Sequence, residues 1–392
     1  MKTLFRDFNI VNGGNIVPHG DILVEDGRIK GTGSIPASED MMVVEGRGRY
    51  LLPGFIDIHV HGGAGFDFMD GSAGEYNAIA KHHAAHGTTG LYATTLSASH
   101  EELLASVRAF DEAEKMKGGA RLLGIHLEGP YIAKSQKGAM DERYIRDPEP
   151  KEYAELLSVS DRIKRMTIAP ELPGAAELGR YLCERGVLPS IGHTDCFAED
   201  VINAYENGGF KLMTHLYSAM SMTRRVGCWR HGGAVEAAYL LDGMYVEIIA
   251  DGIHLPPELL KLIYKIKGPS RTALITDAMR GSGMPMGTTA LLGSRKNGLP
   301  AWLEDGVAKT MDRTAFAGSI ATTDRLVRNM VNLAGVPLAD ASIMASKTPA
   351  EIMGIFDKRG SLDKGKYADL VVMDEDLNVD MTVVEGETVY EK

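Results

Sequence analysis

Eight apolar runs, each separated from the next by a longer polar or amphipathic stretch, are the feature of this sequence that most limits its fold. The runs cover residues 51–61, 88–95, 121–128, 165–169, 188–193, 212–216, 245–250 and 273–277. Amphipathic segments such as residues 101–117 and 175–185 lie between them and have the spacing of helices. Because strands that alternate with helices form parallel sheets, eight such units predict an α/β protein with a TIM (β/α)8 barrel.

Both ends of the chain consist of short strand-like segments and tight turns. The first fifty residues include the turn Asp26-Gly27, and the tail contains apolar segments at residues 368–373 and 383–389. A strand-rich tail can pair with a strand-rich head. We therefore predict a small β-sandwich domain built from residues 1–52 and 361–392, and a barrel domain over residues 53–360. A Gly-rich polar stretch at residues 287–312 predicts a β-type insertion after the eighth strand.

Composition argues against several classes of function. The 42 basic and 53 acidic residues give a net charge of −11 without a Lys/Arg-rich run, so we expect no nucleic-acid partner. Cys183, Cys196 and Cys228 form an odd set without C-x-x-C spacing, which favours reduced thiols over disulfides or a cysteine-only zinc site. The sequence contains no signal-peptide core and no run of eighteen apolar residues. We therefore expect a cytoplasmic protein without a membrane partner.

Residues of the metal-ligand type stand at the ends of most of these runs. His59 and His61 close the first run, and because side chains alternate along a strand, both can reach one metal. The other runs that end in, or are followed by, such residues contribute Glu128, His193, His215, Asp251 with His254, and Asp277. The carboxyl ends of barrel strands are where active sites of TIM barrels lie. Imidazole and carboxylate groups suit Zn²⁺ or Fe²⁺ better than Ca²⁺, so the pattern predicts a metal-dependent active site.

At these segments the sequence resembles the N-acetylglucosamine-6-phosphate deacetylase family of the amidohydrolase superfamily. The matching strings are Pro53-Gly54-Phe55-Ile56-Asp57-Ile58-His59-Val60-His61-Gly62-Gly63, His126-Leu127-Glu128-Gly129-Pro130, Gly192-His193-Thr194, Thr214-His215-Leu216, Asp251-Gly252-Ile253-His254, Thr276-Asp277-Ala278-Met279 and Ala317-Gly318-Ser319. They span nearly the whole chain in the order of the family. The resemblance therefore implies the amidohydrolase barrel and a homodimer that binds a small amino-sugar substrate.

The resemblance also implies roles for the matching residues. The implied metal ligands are Glu128, His193 and His215 for the site that most members share, His59 and His61 for a second metal, and Asp277. Asp277 is also the implied catalytic acid and base, and His254 the group that holds the substrate carbonyl. The implied cofactor is a divalent metal, two ions per chain, with Zn²⁺ first and Fe²⁺, Co²⁺ or Mn²⁺ as alternatives.

The strings that recognise the sugar match the family less closely. Ser218 stands where the family has an asparagine, and the neighbouring Ala219 is expected to contact the substrate through its backbone N–H. Met140 stands where some members carry a polar contact. We predict that these three residues line the sugar site.

A phosphate contact is expected in the loop that follows Met220. The family arginine lies in Arg-Glu-Pro-Gly, and the nearest match here is Arg230-His231-Gly232-Gly233. Since the guanidinium fork can donate two parallel hydrogen bonds to a phosphate, we predict Arg230 for this role, with Arg225 and Arg224 as alternatives.

The resulting hypothesis is hydrolysis of N-acetylglucosamine 6-phosphate to glucosamine 6-phosphate and acetate. A deacetylase of N-acetylgalactosamine 6-phosphate, or of an unphosphorylated N-acetylhexosamine, is the main alternative. A cyclic-amide hydrolase is disfavoured, because the fourth run does not end in a lysine that could bridge two metals. A binding protein without catalysis is disfavoured because Asp277 and the histidines are all present.

Overall fold

The computed structural model describes residues 2–392, and a barrel of eight parallel strands forms its centre. In chain order the strands are Phe55–Val60, Thr88–Thr95, Arg121–Glu128, Ile163–Ile168, Leu188–Ile191, Leu212–Met213, Tyr245–Ile248 and Thr272–Leu274. Each strand pairs with the one before it. Hydrogen bonds of 2.9 Å from Asp277 N to His59 O and from His61 N to Ala278 O join the last segment to the first strand. The predicted TIM barrel is confirmed.

The strands differ in extent from the apolar runs that predicted them. The runs at residues 88–95 and 121–128 coincide with strands, whereas the run at 51–61 divides into Tyr50–Pro53 and Phe55–Val60. Gly54 separates the two, and a Cβ at this position would meet the Thr89 side chain at 2.2 Å. The chain therefore changes from one sheet to another at a residue whose lack of a side chain allows close packing.

Helices connect the barrel strands and cover their outer side. The α-helices are Ala73–Ala84, His100–Ala113, Pro150–Val159, Ala175–Glu184, Ala198–Asn207, Ala234–Leu240, Pro257–Lys267, Thr323–Asn332, Leu338–Ser342 and Thr348–Ile352, and a π-helical turn, Ile343–Lys347, joins the last two. The helix predicted over residues 101–117 is shorter and ends at Ala113. Apolar side chains at helical spacing, such as Leu178 and Leu182, are fully buried against the barrel.

Strands from both termini form a second eight-stranded sheet. They are Lys2–Asn12, Asn15–Glu25, Arg28–Gly33, Met41–Glu45, Tyr50–Pro53, Leu370–Met373, Val379–Val384 and Glu387–Glu391. Lys2–Asn12 pairs along one edge with Asn15–Glu25. Along its other edge it pairs first with Met41–Glu45 and then with Tyr50–Pro53. The partner changes next to a register shift between Phe5 and Phe8, so two halves of the sheet share one strand.

Head and tail meet in this sheet as the sequence predicts. Leu370–Met373 lies antiparallel to Tyr50–Pro53, and Phe8 and Leu370 are buried in one apolar core. The prediction of a single strand at residues 383–389 is wrong. Glu385 and Gly386 adopt positive φ angles of 50° and 81° and form a turn between two strands. The expectation of a β-domain built from both termini is confirmed, while the boundaries of the two domains stay predictions.

The polar stretch after the eighth strand forms a separate antiparallel sheet beside the barrel rim. Its strands are Thr289–Leu292, Leu299–Glu304 and Val307–Thr310. Leu292 and Leu303 pack with Leu96 and Met140 of the barrel loops, so the sheet covers one side of the rim. Shorter paired strands are Gly62–Gly63 with Phe66–Asp67, and Arg224–Val226 with Trp229–His231. No helix within residues 2–392 is long and apolar enough to cross a membrane.

Candidate active site

A cavity of about 440 Å³ opens at the carboxyl ends of the barrel strands. Among its lining residues are His61, Glu128, Met140, His193, His215, Ser218, Ala219, His254 and Asp277, all of which were selected from the sequence. His59 lies directly beneath this surface and is fully buried. The strand ends therefore bring together the side chains that the sequence pattern predicts.

The Glu128 carboxylate lies at the centre of four imidazole rings. Its Oε1 atom is 2.9 Å from His215 Nε2, 3.2 Å from His193 Nε2 and 3.4 Å from His59 Nε2. Its Oε2 atom is 3.1 Å from His61 Nε2. One oxygen of the carboxylate thus faces three of the histidines, and the other oxygen faces the fourth.

Asp277 completes the cluster from the segment after the last strand. Its Oδ1 atom lies 3.1 Å from His61 Nε2 and 3.5 Å from His59 Nε2. Two groups of ligand-type atoms result, each with all its atoms within 4.8 Å of one another: His59, His61 and Asp277, and Glu128, His193 and His215. The groups correspond to the two sets of residues that the resemblance implies.

The hydrogen bonds of the imidazole rings show that this cluster is a suitable place for cations. His193 Nδ1 donates to Gln136 O at 2.8 Å, and His61 Nδ1 donates to Thr94 O at 3.3 Å. Since a carbonyl oxygen only accepts, the Nε2 atom of each neutral ring is left with a lone pair. These lone pairs point at carboxylate oxygens, which also only accept when they are ionised. A group of facing acceptors needs positive charge between its members, and imidazole with carboxylate is a donor set of divalent transition metals.

The pKa shifts of the cluster also indicate that positive charge among these residues is favourable. Burial raises the pKa of Glu128 and of Asp277, but nearby imidazoles, His59 first, outweigh burial and hold both pKa values below their usual range. Burial lowers the pKa of His59, yet the carboxylates of Glu128 and Asp277 together raise it to about 9. The carboxylates are therefore ionised at neutral pH, and a proton or a metal ion is favoured among them.

Three residues of the cluster have an unusual backbone conformation. The φ angles are 49° at His193, 29° at His215 and 48° at Asp277, in the region that side chains other than glycine rarely adopt. Such residues cost about 1–3 kcal/mol each and are found mainly at functional sites. Each lies just beyond a strand, so the turn away from the ladder directs its side chain into the cavity.

His254 lines the cavity and is held by Asp251. Asp251 Oδ2 accepts a hydrogen bond of 2.7 Å from His254 Nδ1, and Asp251 Oδ1 accepts 2.8 Å bonds from the backbone N–H groups of Ile253 and His254. Burial raises the pKa of Asp251, but the bond to His254 and the neighbouring contacts outweigh it, so the carboxyl is ionised. The Phe316 ring packs against the imidazole with 4.6 Å between ring centroids. His254 Nε2 is therefore the nitrogen free to meet a substrate.

The arginines predicted to bind phosphate lie outside the cavity wall. Arg225 and Arg230 pair across an exposed hairpin made of Arg224–Val226 and Trp229–His231, and both side chains are exposed. Arg224, at the base of this hairpin, donates to Asp195 Oδ1 at 2.7 Å, and Gln136 of the cavity wall donates to the same oxygen at 3.5 Å. The structure thus places the hairpin next to the cavity and leaves a phosphate role for Arg230 or Arg225 a prediction.

Several supporting residues were not selected from the sequence. Gln136 and Thr94 act through backbone carbonyls, which no sequence pattern distinguishes. Glu247 and Arg165, in contrast, are charged residues inside short apolar runs. Parallel barrel strands are buried on both faces, so a charge in such a run indicates a polar contact in the barrel interior.

Comparison with known proteins agrees with this geometry. The model of the amidohydrolase family matches residues 50–389. N-acetylglucosamine-6-phosphate deacetylase of Bacillus subtilis (strain 168) is 34% identical, over 99% of this chain and 97% of the relative. N-acetylgalactosamine-6-phosphate deacetylase of Escherichia coli O157:H7 is also 34% identical, over 93% of each chain.

A solved structure extends the likeness to the whole fold. A mutant of N-acetyl-D-glucosamine-6-phosphate deacetylase from Mycobacterium smegmatis, in complex with N-acetyl-D-glucosamine 6-phosphate, superposes with a TM-score of 0.90. The two sequences are 31% identical, and the superposition covers 99% of each chain. The chain described here therefore belongs to the N-acetylglucosamine-6-phosphate deacetylase family of the amidohydrolases.

Proposed function

We propose that this chain hydrolyses the acetamide of N-acetylglucosamine 6-phosphate, releasing glucosamine 6-phosphate and acetate. The observation that carries the proposal is the cluster of facing acceptors at the bottom of the cavity, with Asp277 and His254 beside it. The cavity volume of about 440 Å³ lies within the usual range of small-molecule sites, roughly 300–1,000 Å³. Relatives over nearly the full length act on phosphorylated N-acetylhexosamines, as their names state.

The cluster is proposed to hold two divalent cations. Glu128, His193 and His215 would hold one, and His59 and His61 the other, with Asp277 next to the second group. Zn²⁺ is the proposed ion, and Fe²⁺, Co²⁺ and Mn²⁺ suit the same donors. When bound, such an ion lowers the pKa of a water molecule toward ~7 and polarises an amide carbonyl.

Asp277 is proposed to carry the proton of the reaction. Its pKa is held below the usual range, so the group is an ionised carboxylate, the form that can accept a proton from the attacking water at Oδ1 or Oδ2. The C–N bond of the tetrahedral intermediate then breaks, and Asp277 returns the proton to the departing sugar amine. The carboxyl group is regenerated in its ionised form after each turnover.

His254 is proposed to bind the carbonyl oxygen of the acetamide. Nδ1 donates to Asp251, and Nε2 would donate to the carbonyl oxygen as negative charge develops on it. One such donor is worth roughly 3–4 kcal/mol in the transition state. Asp251 fixes the orientation of the ring through its bond to Nδ1.

The sugar is proposed to lie between Met140, Ser218 and Ala219. All three line the cavity, and Met140 is fixed by a contact of 3.1 Å from Ser97 Oγ to its sulfur. Phe316 supplies an apolar surface on the side of the insertion. The acetamide would then face Asp277 and His254, with the phosphate toward the opening.

A homodimer is proposed to complete the phosphate site. The exposed hairpin carries Trp229 and Val226, which are 73% and 50% exposed, beside Arg225 and Arg230. Large apolar side chains next to arginines are typical of residues that become buried when subunits associate. In this arrangement the hairpin of one subunit brings Arg230 toward the phosphate in the cavity of the other.

The substrate is tested by kcat/KM for four sugars: N-acetylglucosamine, N-acetylgalactosamine and their 6-phosphates. The proposal predicts the highest value for N-acetylglucosamine 6-phosphate and a large loss without phosphate. A higher value for N-acetylgalactosamine 6-phosphate would transfer the assignment to that sugar. Equal rates with and without phosphate would remove the proposed role of Arg230.

A further inference from the structure

A fully buried ion pair lies inside the barrel, below the proposed metal site. Arg165 comes from the fourth strand and Glu247 from the seventh, and neither side chain is exposed. Their positions on non-adjacent strands mean that the pair crosses the barrel interior. This place is normally filled by apolar side chains in such barrels.

The Arg165 guanidinium holds Glu247 with two hydrogen bonds and has further partners. Nη1 donates to Glu247 Oε1, and Nη2 donates to Glu247 Oε2 at 2.8 Å. Nη1 also donates to Ile58 O at 3.2 Å, Nη2 to Thr214 Oγ1 at 2.8 Å, and Nε to Ser190 Oγ at 3.0 Å. Ile58 and Thr214 directly precede His59 and His215 in the chain. The guanidinium therefore holds the Glu247 carboxylate and also contacts the residues that directly precede His59 and His215.

Glu247 turns one of its oxygens toward His59. The Oε2 atom lies 3.5 Å from His59 Nδ1, within ion-pair distance of a buried nitrogen that has no hydrogen-bond partner in the structure. Nδ1 of His61 and Nδ1 of His193 each donate to a backbone carbonyl, and the Glu247 carboxylate lies behind His59 on the same side of the ring. His59 is the residue among these three whose Nδ1 faces a carboxylate instead.

We infer that Glu247, held by Arg165, is a positioning residue that keeps the His59 ring oriented with Nε2 toward a cation at the His59/His61 group. The inference rests on the proposed two-cation function. A carboxylate behind a histidine ligand fixes its tautomer and orientation and makes the free nitrogen a better donor to metal. Stability alone does not account for the pair, since buried ion pairs are often no more stabilising than apolar side chains of similar size.

The test compares cation binding by the wild-type protein with that of two variants. Glu247→Gln removes the charge behind His59 and keeps the shape of the side chain. Arg165→Met with Glu247→Leu removes the whole pair, and this double variant should fold, because similar replacements elsewhere are neutral or stabilising. Zn²⁺ is titrated into protein first freed of metal, and thermal unfolding is recorded for each variant.

A matched control exists in the terminal sheet. Arg359 donates to Asp369 in another buried pair, far from the barrel rim, so Asp369→Asn makes the same kind of change. We expect Asp369→Asn to bind two Zn²⁺ per chain as tightly as the wild type. We expect Glu247→Gln and the double variant to bind one ion normally and the other roughly 10–100-fold more weakly.

Two other outcomes would overturn the inference, and they differ from failure of the proposed function. Two ions bound with wild-type affinity by both variants would show that Glu247 has no effect on His59. Equal weakening of both ions would show a general loss of structure. A wild-type protein that binds a single ion would instead contradict the two-cation proposal, and the role of Glu247 with it.

Discussion

The inner and outer parts of the cavity are built in different ways. The floor, which consists of His59, His61, Glu128, His193, His215 and Asp277, comes from strand ends and the residues directly after them. The outer wall, which includes Met140, Leu292 and Phe316, comes from connecting loops and the region of the three-stranded insertion. Charged and imidazole groups meet on the floor, whereas these three residues of the outer wall are apolar.

This difference indicates which part of the cavity determines turnover and which part determines substrate choice. Strands in a parallel barrel have a fixed register, which brings the floor residues at and just beyond their ends to separations such as 2.9 and 3.5 Å. Loops vary in length and direction, and residues on them set which substrate fits. Variants of the floor should therefore change turnover, and variants of the outer parts should change mainly the choice and affinity of the sugar.

Asp277→Asn, a change on the floor of the cavity, should have the largest effect on turnover. Asparagine cannot accept the proton from water, and loss of general acid–base catalysis costs roughly 10²–10⁴-fold in kcat. The metal content should stay near that of the wild type, since the amide keeps an oxygen at the same place. Steady-state kinetics with metal analysis checks both. Turnover within severalfold of the wild type would exclude Asp277 as the proton carrier.

His254→Ala should have the next largest effect. Loss of a donor to the developing oxyanion lowers kcat by roughly 10²–10³-fold with a smaller change in KM. His19→Ala, which removes an exposed histidine of the terminal sheet, is the control and should behave as the wild type. If KM rises while kcat is unchanged, His254 binds the ground state and transition state equally, contrary to the proposal.

Arg230→Ala tests the outer region, where we expect a change of affinity. The KM for the phosphorylated sugar should rise about tenfold, the effect of one charge-assisted hydrogen bond, with kcat little changed. Arg185→Ala, which removes an exposed arginine at the end of the helix Ala175–Glu184, is the control. The same experiment with Arg225→Ala distinguishes the two candidates. An unchanged KM in both variants would place the phosphate elsewhere.

His83→Gln should have the smallest effect on activity. It changes a residue that packs behind the floor of the cavity and does not line it. His83 Nε2 contacts Gly62 O at 3.0 Å, next to His61. Burial lowers the pKa of His83 from 6.5 to about 3, so the folded protein keeps this ring neutral. The unfolded chain binds a proton below pH 6.5, and the wild type therefore loses stability as the pH falls from there.

Glutamine does not titrate, so the variant does not lose stability through this group as the pH falls. The stability advantage of the wild type over His83→Gln should shrink by about 2 kcal/mol between pH 7.5 and pH 5. Urea unfolding at the two pH values measures it. An advantage that stays constant, or that grows toward pH 5, would mean that the buried ring is protonated in the folded state.

The same division explains how far the sequence could be interpreted. The eight runs and the ligand-type residues after them predict the barrel and the floor, because parallel strands end at one rim. The shortened strands near His193, His215 and Asp277 were not predictable, since left-handed backbone in residues other than glycine has no sequence pattern. Arg230 was predicted from an imperfect match to one family string and Arg225 from the same loop, and neither signal indicates the exposed hairpin on which the two residues lie.

The metal content of protein purified without chelator tests the central proposal most directly. The two groups on the floor predict a value approaching two divalent ions per chain, which falls with chelation together with deacetylation and returns with added metal. A firm value of one ion per chain, unchanged by added metal, would contradict the account and would leave His59 and His61 without the proposed role.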